Sequence, residues 1–149
     1  MNNEKDNVYD LVEDFYAHDE GWNTLLRQEY AEGFLRMEAW KGKKNSDLYR
    51  SWDNLTMLCL YLGSAETFLG DMNADDFIDC IAWCGRNISE FTPDYKNTQD
   101  FLETCDGLFK YLKGKNAISN DTVPATAAEI LLQEGKMNII LPDGSFDEA

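Results

Sequence analysis

Cys80 and Cys84 stand four residues apart, a spacing that on one face of a helix can bring two thiolates to a single metal ion. A tetrahedral zinc site needs two further ligands, and the chain offers only Cys59, Cys105 and the lone His18 for that purpose. Against the metal reading, Cys59, Cys84 and Cys105 each occupy an apolar helical stripe, where cysteine behaves as a small buried hydrophobe. Packing is the preferred reading of all three. A second constellation, Asp71-x-Asn73-x-Asp75, has the alternating oxygen-bearing side chains that open a calcium loop. The loop pattern then fails, because Asp76 stands where the turn needs glycine and Ala82 where a bidentate glutamate should close the site. The same residues make a good helix start, with Asn73 as cap and Asp75 and Asp76 near the positive end of the dipole.

His18 has no cysteine or serine placed beside it as a nucleophile. It closes a predicted helix whose C-terminal end favours a cation, so it reads as a cap or surface residue rather than a base. Glycine-rich phosphate loops, Gly-x-Ser-x-Gly elbows and His-Glu-x-x-His pairs do not occur. With 28 carboxylates in the chain, closeness of any two does not by itself nominate an acid/base couple. The sequence reads as a non-enzymatic protein with no catalytic residue, no metal and no cofactor.

Charge decides which partners are compatible with such a chain. Acidic residues number 28 against 13 basic in 149, for a net charge of −15. Two short basic clusters interrupt this, Lys41, Lys43, Lys44 and Arg50 in one and Lys110, Lys113 and Lys115 in the other. A surface this negative repels phosphate backbones and anionic headgroups unless a positive face is set apart from the rest, so general nucleic-acid or membrane binding is disfavoured. Neither a spanning helix nor a signal peptide is recognisable, and the four cysteines then read as reduced thiols of a cytoplasmic protein. Hydrophobic residues make up 44% and aromatics 13%, too many for a disordered acidic segment.

The elements that must position these residues are helical. Val8, Leu11, Val12, Phe15 and Tyr16 predict a short amphipathic helix ending near His18. A longer one is expected from Trp22 to Trp40, with Trp22, Leu26, Tyr30, Met37 and Trp40 on one stripe and Leu25 and Phe34 beside it. A third, from Asp47 to Phe68 with Ser46 as N-cap, carries Leu48, Trp52, Leu55, Cys59 and Leu62 at steps of four and three. Phe77, Ile81 and Cys84 belong to a fourth that starts at Asn73 and stops near Gly85. Phe101, Cys105, Leu108 and Leu112 belong to a fifth from about Asn97 to Lys113, ended by Gly114. A short sixth helix is expected from Ala125 to Glu134, and Met137–Leu141 reads as a short strand or extended tail. The fold class is all-α: one helical domain over 1–149, with a helical pair in 1–45, a bundle in 46–121, and a short helix plus tail in 122–149. Core packing accounts for Trp22, Trp40 and Trp52. Trp83, offset from its helix's seam, is expected half-exposed at a partner contact.

From Asp47 to Asp121 the order of helix, acidic turn, helix, Pro-containing loop and helix resembles the SAM-like core-binding domain at the N-terminus of tyrosine recombinases, the phage integrases. The resemblance is carried by Leu48-Tyr49-x-x-Trp52-x-x-Leu55-x-x-x-Cys59-x-x-Leu62, by Met72-Asn-Ala-Asp-Asp-Phe-Ile-Asp-Cys-Ile, by Thr98-x-x-Phe101-Leu-x-x-Cys105-x-x-Leu108-Phe109-x-Tyr111-Leu112, and by Ala117-Ile-Ser. It implies a small bundle that grips DNA with basic residues, here Lys41, Lys43, Lys44, Arg50, Lys110, Lys113 and Lys115. The family's catalytic domain has no counterpart in this chain, so none of its active-site residues carries over.

Three functions follow, in order of preference. The first is an acidic helical module that binds another protein through an apolar patch or its acidic face, and such a face could imitate DNA toward a basic partner and so inhibit a nucleic-acid enzyme. The second is a recombinase-like DNA-binding module using the two basic clusters. The third is a metal or redox site at Cys80 and Cys84.

Overall fold

Asn7 starts the first helix by accepting, on its side-chain oxygen, the Tyr9 backbone N–H at 2.8 Å, which satisfies one of the donors every helix start leaves open. In the computed structural model, which describes residues 7–136, all regular structure is helical. Six α-helices follow one another: α1 (Val8–His18), α2 (Gln28–Trp40), α3 (Asn45–Ala65), α4 (Ala74–Asn87), α5 (Tyr95–Gly114) and α6 (Val123–Gln133). The all-α class expected from the periodicity is the one found, and among the described residues no helix is long and apolar enough to cross a membrane. The segment Met137–Leu141, expected as a strand or extended tail, lies outside the described residues.

The chain divides into two units between Leu69 and Gly70. The first contains α1 to α3. Val8, Val12 and Tyr16 bury one face of α1, and Ala31, Phe34 and Leu35 do the same for α2. All five residues of the α3 stripe, Leu48, Trp52, Leu55, Cys59 and Leu62, are buried, together with Leu58 and Tyr61 on the flank. Phe15 joins the elements through its ring: it stacks on Trp22 at 4.8 Å between centroids and meets Trp52 edge-on at 5.2 Å, geometries that aromatic quadrupoles favour. Gly63 of α3 faces Leu25 and Trp22, which stand at ordinary van der Waals distances, 3.8 and 4.0 Å, from where a Cβ would be.

One expected helix is broken. Trp22 sits in a 3₁₀ turn, Glu20–Thr24, and α2 begins only at Gln28, whose backbone N–H is capped by the Asn23 side chain at 2.9 Å. The predicted stripe from Trp22 to Trp40 therefore has no common axis. Met37 is only partly covered, and Trp40, the last residue of α2, is 90% exposed and contributes nothing to the core. At α3 the cap also differs: the helix starts one residue before Ser46, and the Asp47 carboxylate accepts the Lys44 N–H at 3.3 Å. α3 ends with Glu66 in the left-handed region at φ 55°, while the Thr67 N–H returns to the Leu62 carbonyl.

The second unit holds α4 to α6. Asn73 and Asp76 cap α4 reciprocally, each side chain accepting the other's backbone N–H at 2.9 Å, so the start expected at Asn73 is the start found. α5 is capped by Asp94, which accepts from Asn97 N–H, and begins two residues ahead of the expected position. Phe77 of α4 meets Phe109 of α5 edge-on at 5.3 Å, and Phe91 in the connecting loop lies against Phe101. Ile81, Leu108, Leu112, Ala127 and Leu131 complete the core. Pro124 stands in the first turn of α6, where its missing N–H costs nothing.

Candidate functional site

α5 and α6 leave a groove of about 270 Å³ between them in the second unit. Its α5 side is a stripe of one residue per turn, Tyr95, Gln99, Glu103 and Asp106, with Leu102 at the floor. Its α6 side is Pro124, Ala125, Ala128 and Leu132. One wall is thus polar and acidic, the other small and apolar. Tyr95 and Leu132 are 48% and 53% exposed, large for apolar side chains, and they stand at the groove rather than scattered over the surface. The small residues at 124, 125 and 128 hold the wall low enough to be filled from outside.

The acidic wall is incompletely compensated. Gln99 donates to Glu103 Oε2 at 3.4 Å, the weak end of the hydrogen-bond range. Asp106 takes an ion pair from Lys110 on Oδ2, while its Oδ1 is closed off from solvent and accepts no hydrogen bond among the described residues. A buried carboxylate oxygen without a donor is costly, on the order of 1–3 kcal/mol.

The basic residues expected to grip DNA are distributed between the two units. Lys41, Lys43, Lys44 and Arg50 lie in the first, and Lys110, Lys113 and Lys115 in the second. Lys41 and Lys43 both approach the Glu38 carboxylate, at 3.7 and 3.6 Å. Lys110 pairs with Asp106 and Lys113 with Asp121, the latter at 3.9 Å. Lys115 lies over the Tyr111 ring, 5.6 Å from its centroid. Four of the seven cations are thus turned toward carboxylates of their own unit.

The remaining candidates fall as follows. Cys59, Cys80, Cys84 and Cys105 are all buried, none in a disulfide, each packed into its helix's apolar face. Burial pushes the Cys59 thiol up to about 12, so it stays protonated at neutral pH. His18 is the exposed last residue of α1. Asn73 and Asp76 are engaged in the α4 cap. Among the described residues no group of three or more His, Cys, Asp or Glu side chains is placed to hold a metal ion. Trp83 is half-buried, as its offset from the α4 seam predicts, and accepts at its backbone carbonyl the Asn87 side-chain amide at 2.8 Å.

Periodicity along the chain does not single out the groove. Its signals are present in the chain, as the i, i+4 series Tyr95, Gln99, Glu103 and the series Pro124, Ala128, Leu132, but only the packing of α5 on α6 sets one against the other. Compared with known protein families, with curated proteins and with solved structures, the chain matches none.

Proposed function

We propose that this chain is a non-enzymatic acidic helical module that binds another protein, and that the α5–α6 groove is its docking surface. The observation that supports this is the groove's division into an apolar wall of Pro124, Ala125, Ala128 and Leu132 and a polar wall of Gln99, Glu103 and Asp106. Interfaces are built on such a plan, with an apolar centre that accepts side chains and polar groups that fix orientation. At about 270 Å³ the groove lies just under the range of small-molecule sites, about 300–1,000 Å³. The DNA-binding alternative has weaker support, since Lys41, Lys43, Lys110 and Lys113 are already turned toward carboxylates.

The test compares the wild-type chain with Ala128→Trp, which fills the groove, as bait in a nuclease-treated lysate at about 0.1 M salt, where surface charge is partly unscreened. Protein partners retained by the wild type and lost by Ala128→Trp are the expected result. Identical recovery by both baits, or recovery of nucleic acid alone from an untreated lysate, overturns the reading.

A further inference from the structure

We propose that the occupant of the α5–α6 groove is a basic amphipathic helix of a partner protein, its apolar stripe on Ala125, Ala128 and Leu132 and its Lys or Arg side chains on Glu103 and Asp106. The inference rests on the protein-binding reading of the groove and adds the chemistry of the partner. Length comes first. Pro124 to Leu132 advances about 12 Å along α6, and Tyr95 to Asp106 about 16 Å along α5, at 1.5 Å per residue. Two to three turns of helix, at about 5.4 Å each, span such a length, with the side chains of one face, not the helix body, entering the groove.

Charge complementarity selects among helices. An occupant must present apolar groups to one wall and donors to the other, which is the division an amphipathic helix carries on adjacent stripes. Both formal charges lining the groove are negative, Glu103 and Asp106. Lys110 pairs with Asp106 Oδ2, while Glu103 accepts from the neutral Gln99 amide at 3.4 Å. Cationic donors add charge-assisted hydrogen bonds at the exposed Glu103, which an acidic or neutral helix does not supply. The chain's own residues 137–149 fit poorly on the same ground: they contain Asp143, Asp147 and Glu148 and no basic side chain.

A fluorescent helical peptide with leucines on one stripe and lysines on the next, titrated with the full chain and followed by anisotropy, tests the proposal. Binding that weakens with salt is expected, with affinity reduced about tenfold or more by Glu103→Gln with Asp106→Asn and abolished by Ala128→Arg. A peptide of the same composition with its stripes scrambled is expected to bind at least about tenfold more weakly. Since any cationic peptide is attracted to a chain of net charge −15, the control is Asp10→Asn with Asp14→Asn, which removes two exposed charges from α1. That pair is expected to leave affinity within about twofold. Equal losses from the two charge pairs, equal binding of the scrambled peptide, or full binding to Ala128→Arg overturns the proposal. So does displacement of the probe by a synthetic peptide of residues 137–149, which would give the groove to the chain's own tail. Failure of the peptide alongside groove-dependent capture of proteins from lysate overturns the basic helix and leaves the docking surface standing.

Discussion

Tyr16 donates its hydroxyl to the backbone carbonyl of Leu26, ten residues further on, and both residues are at least 97% buried. The bond fixes the chain where it leaves the 3₁₀ turn and before α2 begins. That carbonyl lies one residue before Arg27, whose carbonyl accepts from Ala31 at the start of α2, and the phenol satisfies it. Tyr16→Phe keeps the ring and its contacts with Phe15 and Trp52 but leaves the Leu26 oxygen unsatisfied. The expected cost is about 1–3 kcal/mol, seen as a lower urea midpoint with little change in slope. An unchanged midpoint would show that the hydrogen bond carries no net stability.

The same phenol and the Cys59 thiol are expected to make the protein alkali-sensitive. Burial raises the Tyr16 pKa above its usual value, with Cys59 and Glu32 adding to the effect, and burial pushes Cys59 from 9.0 up to about 12. Both groups lose protons more readily in the unfolded chain, so their contribution is complete below the unfolded pKa and is lost as pH rises through the interval up to the folded one. The loss begins near pH 9 with Cys59 and is joined by Tyr16 near pH 10. Unfolding free energy is expected to fall by about 3 kcal/mol between pH 8 and 10.5, about two thirds of it from Cys59. Cys59→Ala, although less stable throughout, should lose less over that interval. Urea titrations at the two pH values decide it.

How much of this was legible beforehand differs from helix to helix. The α3 stripe was read correctly at all five positions because a long uninterrupted helix keeps its phase, and burial follows phase. The stretch from Trp22 to Trp40 looks like one continuous helix in sequence because no glycine or proline marks the break at Leu25 to Arg27. What ends the turn and starts α2 there is the Asn23 side chain reaching Gln28, a local cap that could have been noticed, and the Tyr16 bond to Leu26, a tertiary contact that no local pattern contains. The groove was invisible for the second reason. Each of its walls is an ordinary helical stripe, one polar and one of small residues, and only the docking of α6 on α5 makes them face one another.

Glu66 ends α3 in the left-handed region, φ 55°, without glycine's freedom to do so. That conformation costs an ordinary residue on the order of 1–2 kcal/mol, and a carboxylate at the negative end of the α3 dipole adds to it. Glu66→Gly removes both costs and gives back part of the gain through the greater entropy of glycine in the unfolded chain. A net stabilisation of about 0.5–1 kcal/mol is expected, measured as a higher urea midpoint. Glu66→Ala keeps the left-handed strain and should recover only the smaller electrostatic part. Equal gains from both variants would place the effect in the charge.

Trp40 and Trp52 illustrate how differently two tryptophans of one unit serve the fold. Trp52 is 5% exposed and closes on Phe15 and Tyr16, whereas Trp40 is 90% exposed at the last position of α2. Truncating a buried indole removes its transfer free energy and leaves a cavity, so Trp52→Ala is expected to cost about 3–5 kcal/mol. Trp40→Ala touches no packed neighbour and should stay within about 0.5 kcal/mol of wild type. Tryptophan fluorescence provides a second readout: the exposed indole is the more accessible to a soluble quencher, so Trp40→Ala should remove most of the quenchable emission while leaving the urea midpoint in place. A large stability loss in Trp40→Ala would mean that its indole is covered in solution, and the surface beside Lys41 and Lys43 would then have to be reckoned a contact.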